Sequence, residues 1–166
     1  MLVRAVEARY PGSSHDSHVW NASSARRYYL SEYEAGDRSN RLLGDCGYAL
    51  EPFLLTPYRD PSYNSKEYKF NMAHASARNI VERTIGVLKS RFRCLLGTLH
   101  YKPTKVVKMI NVCCALHNIC RQYNIGFEEN IEESAQLFDD DDVESRPTLT
   151  LQSEAQRIRN EIANTL

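Results

Sequence analysis

From Ser65 to Phe92 the chain runs without a proline, which is long enough for a helix of more than seven turns. In its second half Val81, Ile85, Leu88 and Phe92 fall on one face at about 100° per residue. Such a face has to be covered, and a sheet is the expected partner. A second stripe lies about a quarter turn away and holds Ala75, Arg78, Glu82, Gly86, Lys89 and Arg93. Glu82 is the only acid between Asn71 and Phe92, with Arg78 and Lys89 on its own stripe. Gly86, one turn beyond it, leaves space beside it.

The segments before this helix read as short elements. Leu2 to Tyr10 alternates apolar and polar residues and predicts a strand. Pro11-Gly12-Ser13-Ser14 predicts a turn, and Asp16 or Ser17 a cap for a helix reaching Tyr33. Leu42-Leu43 is a short buried strand stopped by Gly44-Asp45 and Gly47. Pro52, Pro57 and Pro61 keep the following stretch extended, with a short strand over Phe53–Thr56. After a break over residues 97–102, Pro103 opens a helix to Tyr123, with Val106, Ile110, Cys113 and Leu116 at helical spacing. Residues 128–146 include Asp139-Asp140-Asp141-Asp142 and are expected to be disordered. A short amphipathic helix with Ala155, Ile158 and Ile162 closes the chain.

The 166 residues suffice for one domain with a core, over residues 1–125, and an acidic flexible tail over 126–166. The net charge of zero conceals an asymmetry. Residues 1–125 hold 18 Lys and Arg against 10 Asp and Glu, whereas residues 126–166 hold 3 against 11. A basic body suits a polyanion partner. No apolar run approaches the ~20 residues that cross a bilayer, so no membrane partner is expected. Five cysteines, two of them adjacent, argue for a reducing compartment, nucleus or cytosol. Cys113, His117 and Cys120 share a helix at metal-ligand spacing, but no second cysteine pair supports zinc. Tyr28, Tyr29, Tyr58 and Tyr63 are available for stacking on bases, although packing is the commoner role of tyrosine.

An acid at the end of a strand, Asp45, and an acid on a packed helix, Glu82, are parts from which a divalent-metal phosphoryl-transfer site is built. Hard cations want carboxylate oxygens on rigid elements. The residues alone favour the plainer reading, a turn at Asp45 and i±4 ion pairs at Glu82. Asp16 is open to the same two readings, metal ligand or helix cap.

Five motifs occur in order: Ala8-Arg9-Tyr10-Pro11-Gly12-Ser13-Ser14-His15-Asp16-Ser17, Leu43-Gly44-Asp45-Cys46-Gly47-Tyr48, Thr56-Pro57-Tyr58, the Asn71–Phe92 helix, and Ala115-Leu116-His117-Asn118. Together they resemble the Harbinger-type DDE transposases and their domesticated relatives, the Harbinger transposase-derived nucleases. The resemblance implies an α/β, RNase H-like fold and cleavage of DNA with Mg²⁺ or Mn²⁺. Asp45 would match the second catalytic aspartate and Glu82 the glutamate, with Asp16 a further candidate ligand. Arg78, Arg83 and Lys89 would hold phosphates, with His74 of second rank. The family's first aspartate would fall at or before Met1, which leads one to expect a fold incomplete at its amino end, two of three acids, and little cleavage. The alternative is a catalytically dead module that binds DNA or protein. A separate DNA-binding partner protein is compatible with either, and the oligomeric state is open.

Overall fold

The computed structural model describes residues 1–126 and 149–166. These residues form two compact units, one of residues 13–78 with 149–166, the other of residues 1–12 with 79–126. The architecture is mostly helical with one small sheet: α1 (Asp16–Ala22), α2 (Ser24–Glu34), β1 (Leu42–Leu43), β2 (Leu54–Leu55), α3 (Lys66–Arg91), a 3₁₀ turn (Arg93–Leu95), α4 (Pro103–Gln122) and α5 (Leu149–Ala163).

In the unit of residues 13–78 and 149–166, the single helix expected as far as Tyr33 is instead two. Ser23 is extended, at φ −74° and ψ 151°. Its N–H bonds the Trp20 carbonyl at 2.9 Å to end α1, and its hydroxyl accepts the Arg26 N–H at 3.0 Å to start α2. A serine hydroxyl that competes for helix amides breaks a helix in this way. The start of α1 is capped by His15, not by Asp16 or Ser17: His15 Nδ1 accepts the Ser17 N–H at 3.3 Å and lies 2.8 Å from the Ser17 hydroxyl.

The strands β1 and β2 are parallel, with Leu42 opposite Leu54 and Leu43 opposite Leu55. Around them are two apolar clusters. One joins Trp20, Phe53 and Leu54 to Tyr29, Leu30 and Tyr33; the other joins Leu55 and Phe70 to Ile158 and Ala163. The second cluster shows that α5, which the sequence reading placed in the tail, is part of this core. Arg159 reinforces it: its guanidinium stacks 3.9 Å over the Tyr58 ring and donates to the carbonyls of Thr56 and Pro57 at 3.1 and 3.0 Å. The expected disorder of residues 128–146 falls outside the described residues.

The unit of residues 1–12 and 79–126 consists of the second half of α3, the 3₁₀ turn, α4 and the amino-terminal segment. The strand expected over Leu2–Tyr10 is not formed. The segment is instead held at Val3 by the Asn118 side chain, which accepts the Val3 N–H and donates to the Val3 carbonyl, both at 2.8 Å. His117 Nε2 stands 3.2 Å from the Met1 carbonyl. The apolar face expected to bury along α3 is only partly covered: Val81 and Ile85 each keep 45% of their surface exposed, while Leu88 and Phe92 are half-buried. On α4, Val112, Leu116 and Ile119 are likewise exposed, while Cys113, Cys114 and His117 are buried. No strand is present among the described residues of this unit to cover those side chains.

Candidate active site

The end of β1 sets the position of Asp45. The Gly44 N–H bonds the Leu55 carbonyl at 2.9 Å and continues the ladder by one residue. A Cβ at Gly44 would come within 3.1 Å of the Tyr48 ring and 3.2 Å of Leu54, so a larger residue would push those side chains back by a few tenths of an ångström. The chain then turns. Asp45 Oδ1 accepts the Gly47 N–H at 3.1 Å, and the Asp45 carbonyl accepts the Tyr48 N–H at 3.3 Å. This is an Asx-type turn, which fixes the carboxylate at a strand end.

Asp16, the first residue of α1, approaches the same turn. A methyl group placed on Gly47 would lie 3.2 Å from Asp45 Oδ1 and 3.5 Å from Asp16 Oδ2. Both carboxylates therefore reach one small space, which the absent side chain of Gly47 leaves open. Burial and then the Asp45 charge push the Asp16 carboxyl above its usual range, while His15 and Arg78 pull it down. The Tyr48 phenol is pushed up to about 12, first by burial and then by Asp16 and Asp45. From α3, Arg78 reaches Asp45 Oδ2 at 3.3 Å. Its Nε is buried with no hydrogen-bond partner among the described residues. Two hard oxygen donors, held by a turn and a capped helix and repelling one another, are a donor set that fits a divalent cation.

The remaining candidates are placed differently. His74 is buried, with Nε2 3.2 Å from the Leu55 carbonyl and its ring 5.8 Å from Phe70, so it ties α3 to β2. Burial is the main cause that holds its imidazole below the usual range. Glu82, Arg83 and Lys89 are exposed on the later turns of α3, in the other unit. Among the described residues no three His, Cys, Asp or Glu side chains gather to hold one metal ion, the set Cys113, His117 and Cys120 included. The structure thus brings Asp16, Asp45 and Arg78 together.

The family described as DDE superfamily endonuclease matches residues 1–118, about seven-tenths of the chain. The chain belongs to this family. Among its relatives is the bovine protein named "Putative nuclease HARBI1", 36% identical over 162 residues, which cover 95% of this chain and 44% of the relative. The Xenopus laevis protein of the same name is 33% identical over 154 residues, 91% of this chain and 42% of the relative. An Arabidopsis thaliana relative, "Protein ALP1-like", is 30% identical over 129 residues, 69% of this chain and 31% of the relative. The chain spans less than half the length of these curated relatives. No solved structure matches it.

One buried acid of this chain was not expected from the sequence. Glu51 is 1% exposed and uses both carboxylate oxygens, accepting from Trp20 Nε1 at 2.7 Å and from Arg26 at 2.6 and 3.0 Å. The signal was a single acid inside the apolar run Ala49-Leu50-Glu51-Pro52-Phe53-Leu54-Leu55. A charge in such a run has to find partners when it is buried.

Proposed function

We propose that this chain forms part of the metal-dependent centre of an RNase H-like DDE nuclease that cleaves DNA. Asp45 is a catalytic ligand of the centre and Asp16 joins it; Glu82, which belongs to the other unit, is proposed as a catalytic acid from its place in the Asn71–Phe92 motif alone. The observation that supports this most is the pair of carboxylates sharing the space above Gly47. A bound Mg²⁺ or Mn²⁺ would supply activation of a water and charge neutralisation at the scissile phosphate. The chain's own residues do the rest. The Asp45 turn and the His15-capped helix hold the acceptor oxygens in place. Arg78 neutralises Asp45, and with Arg83 and Lys89 it supplies cationic groups to grip the DNA backbone. Activity on DNA makes the nucleus its place of work.

The test is Mn²⁺ titration calorimetry on the full chain, followed by nicking of supercoiled DNA in Mg²⁺. Asp45→Asn and Asp16→Asn are expected to weaken Mn²⁺ binding by at least about tenfold, as removal of a group supporting a metal site does. Glu82→Gln is expected to abolish any Mg²⁺-dependent nicking. Mn²⁺ affinity unmoved by both aspartate substitutions would overturn the reading, as would nicking that persists in Glu82→Gln.

A second reading, a catalytically silent DNA-binding module, is favoured by a different observation. Residues 78–108 hold eight Lys and Arg against the single acid Glu82, and Arg83, Lys89, Arg93, Lys102, Lys105 and Lys108 are exposed. DNA binding that is weakened by salt yet indifferent to EDTA and to Glu82→Ala would support it.

A further inference from the structure

We propose that Glu51 is a positioning residue, which acts through Trp20 to hold the Asp16 carboxylate beside Asp45. The inference rests on the reading that these two aspartates bind a divalent cation. Helix α1 is seven residues long, too short to persist without outside support. Its support is Trp20, one turn after Asp16. The indole is fixed at two points. Its N–H donates to Glu51 Oε2 at 2.7 Å, and its ring meets the Tyr48 ring edge-on, centroids 6.2 Å apart at 84°. Tyr48 closes the turn that presents Asp45.

Glu51 in turn is rooted in the backbone that leads into β2. Its N–H bonds the Leu54 carbonyl at 2.9 Å, and its carbonyl accepts the Leu54 N–H at 3.0 Å. Since β2 pairs with β1, and β1 ends at Asp45, one connected path sets both aspartates: Asp45 through the strand pair, Asp16 through Glu51, Trp20 and α1. The ionised carboxylate is needed for this. Its second oxygen is occupied by Arg26 at 2.6 and 3.0 Å, so a neutral amide of the same shape would turn a donor toward either Trp20 or Arg26 and lose one of them. The chain's only tryptophan therefore stands next to the proposed site and reports on it.

The experiment is Mn²⁺ titration of the full chain, read by calorimetry and, where Trp20 is retained, by its emission. The variants are Glu51→Gln, Trp20→Phe, Asp45→Asn and the control Ile158→Val, which trims the other apolar cluster of the same unit. In the unsubstituted protein, Trp20 emission is expected to change with Mn²⁺ and to saturate together with the heat. Glu51→Gln and Trp20→Phe are expected to weaken Mn²⁺ binding about tenfold, the size of effect seen for groups that orient metal ligands. Ile158→Val is expected to lower Tm and leave the affinity unchanged. Affinity that merely follows Tm across all the variants would mean a structural role and overturn the proposal. Binding lost in Asp45→Asn yet unmoved in Glu51→Gln would overturn the positioning role alone. No Mn²⁺ binding by the unsubstituted protein would overturn the metal reading and this inference with it.

Discussion

The unit of residues 13–78 and 149–166 buries most of its large apolar side chains around β2, although Leu43 of the strand expected to be buried stays 38% exposed, whereas the unit of residues 1–12 and 79–126 buries few. In the first, Trp20, Phe53, Leu54, Leu55, Phe70 and Ile158 are all at most 9% exposed. In the second, Val81, Ile85, Val112, Leu116 and Ile119 are all at least 44% exposed. Helix α3 contributes to both and makes the contrast within one element, with Phe70 and His74 buried in its first half and Val81 and Ile85 open in its second. The difference shows that an apolar stripe states a demand for a partner and does not by itself provide one. It also separates the acids. Asp16 and Asp45 stand on a finished core, whereas Glu82 projects from a helix whose apolar face is open at Val81 and Ile85.

The largest expected effect tests the finished core. Phe53 is 2% exposed and is among the largest fully buried side chains. Phe53→Ala is expected to cost about 3–5 kcal/mol, the range for deleting a buried ring and leaving a cavity. Leu116→Ala, at a side chain 44% exposed, is expected to cost less than about 1 kcal/mol. Urea denaturation of both variants checks the pair. Equal losses would break the comparison, because they would mean that α4 is covered in solution.

Much of the core-bearing unit was legible in the sequence, because its signals are local. Leu42-Leu43 and Leu54-Leu55 were found as strands, and the glycines and prolines flanking them stop the chain where it stops. The ends of α3 and α4 lie within a residue of those expected, since Pro103 starts one and the polar Asn64-Ser65 precedes the other. One error came where a side chain outbid the backbone pattern: Ser23 split the first helix by capping in both directions. Another was the strand expected over Leu2–Tyr10, whose Val3 is held by Asn118 instead. At the site, Asp45 was readable from an apolar run ending in a turn. Its association with Asp16, 29 residues earlier, was readable only through the family resemblance, which made Asp16 a further candidate ligand, because periodicity carries no information about contacts between separate elements. The partners of Glu51 were hidden for the same reason.

The next effect in size belongs to the open unit. Asn118→Ala removes two hydrogen bonds to the backbone of Val3. At about 0.5–1.5 kcal/mol each, the loss should total about 1–3 kcal/mol and free the amino-terminal segment. Amide exchange at Val3 checks it. Protection at Val3 that survives the substitution would show that the segment is held by something other than Asn118, and would narrow the contrast between the two units.

The pH response should appear in both units with one sign. Burial is the main cause holding the His74 and His117 imidazoles below their ordinary value of 6.5. A histidine whose pKa is lower folded than unfolded binds its proton less readily in the native state, so the native state loses stability as pH falls. Stability from these groups is complete above about 6.5 and is lost as pH falls from there through the lowered folded values. Tm is expected to be flat from about pH 8 to 6.5 and to decline below it. His74→Gln and His117→Gln should each flatten part of the decline. A decline unchanged in both would assign it to other groups.

The smallest expected effect is the sharpest test of the uncovered face. Ile85→Ser puts a hydroxyl where an isoleucine is 45% exposed, on a helix turn with no strand among the unit's described residues to cover it. Helix propensities for isoleucine and serine are close, so little is lost within the helix itself. Just over half of the isoleucine surface is buried, so the change should cost about 1 kcal/mol. Leu55→Ser, the same chemistry at 3% exposure, should cost several times more because it buries an unsatisfied hydroxyl. Measuring both by urea denaturation at two protein concentrations separates the alternatives. A loss above about 2 kcal/mol for Ile85→Ser that grows with concentration would mean that a second copy covers the face in solution. The same loss without concentration dependence would mean that the chain covers this face itself, and the contrast between the two units would then vanish.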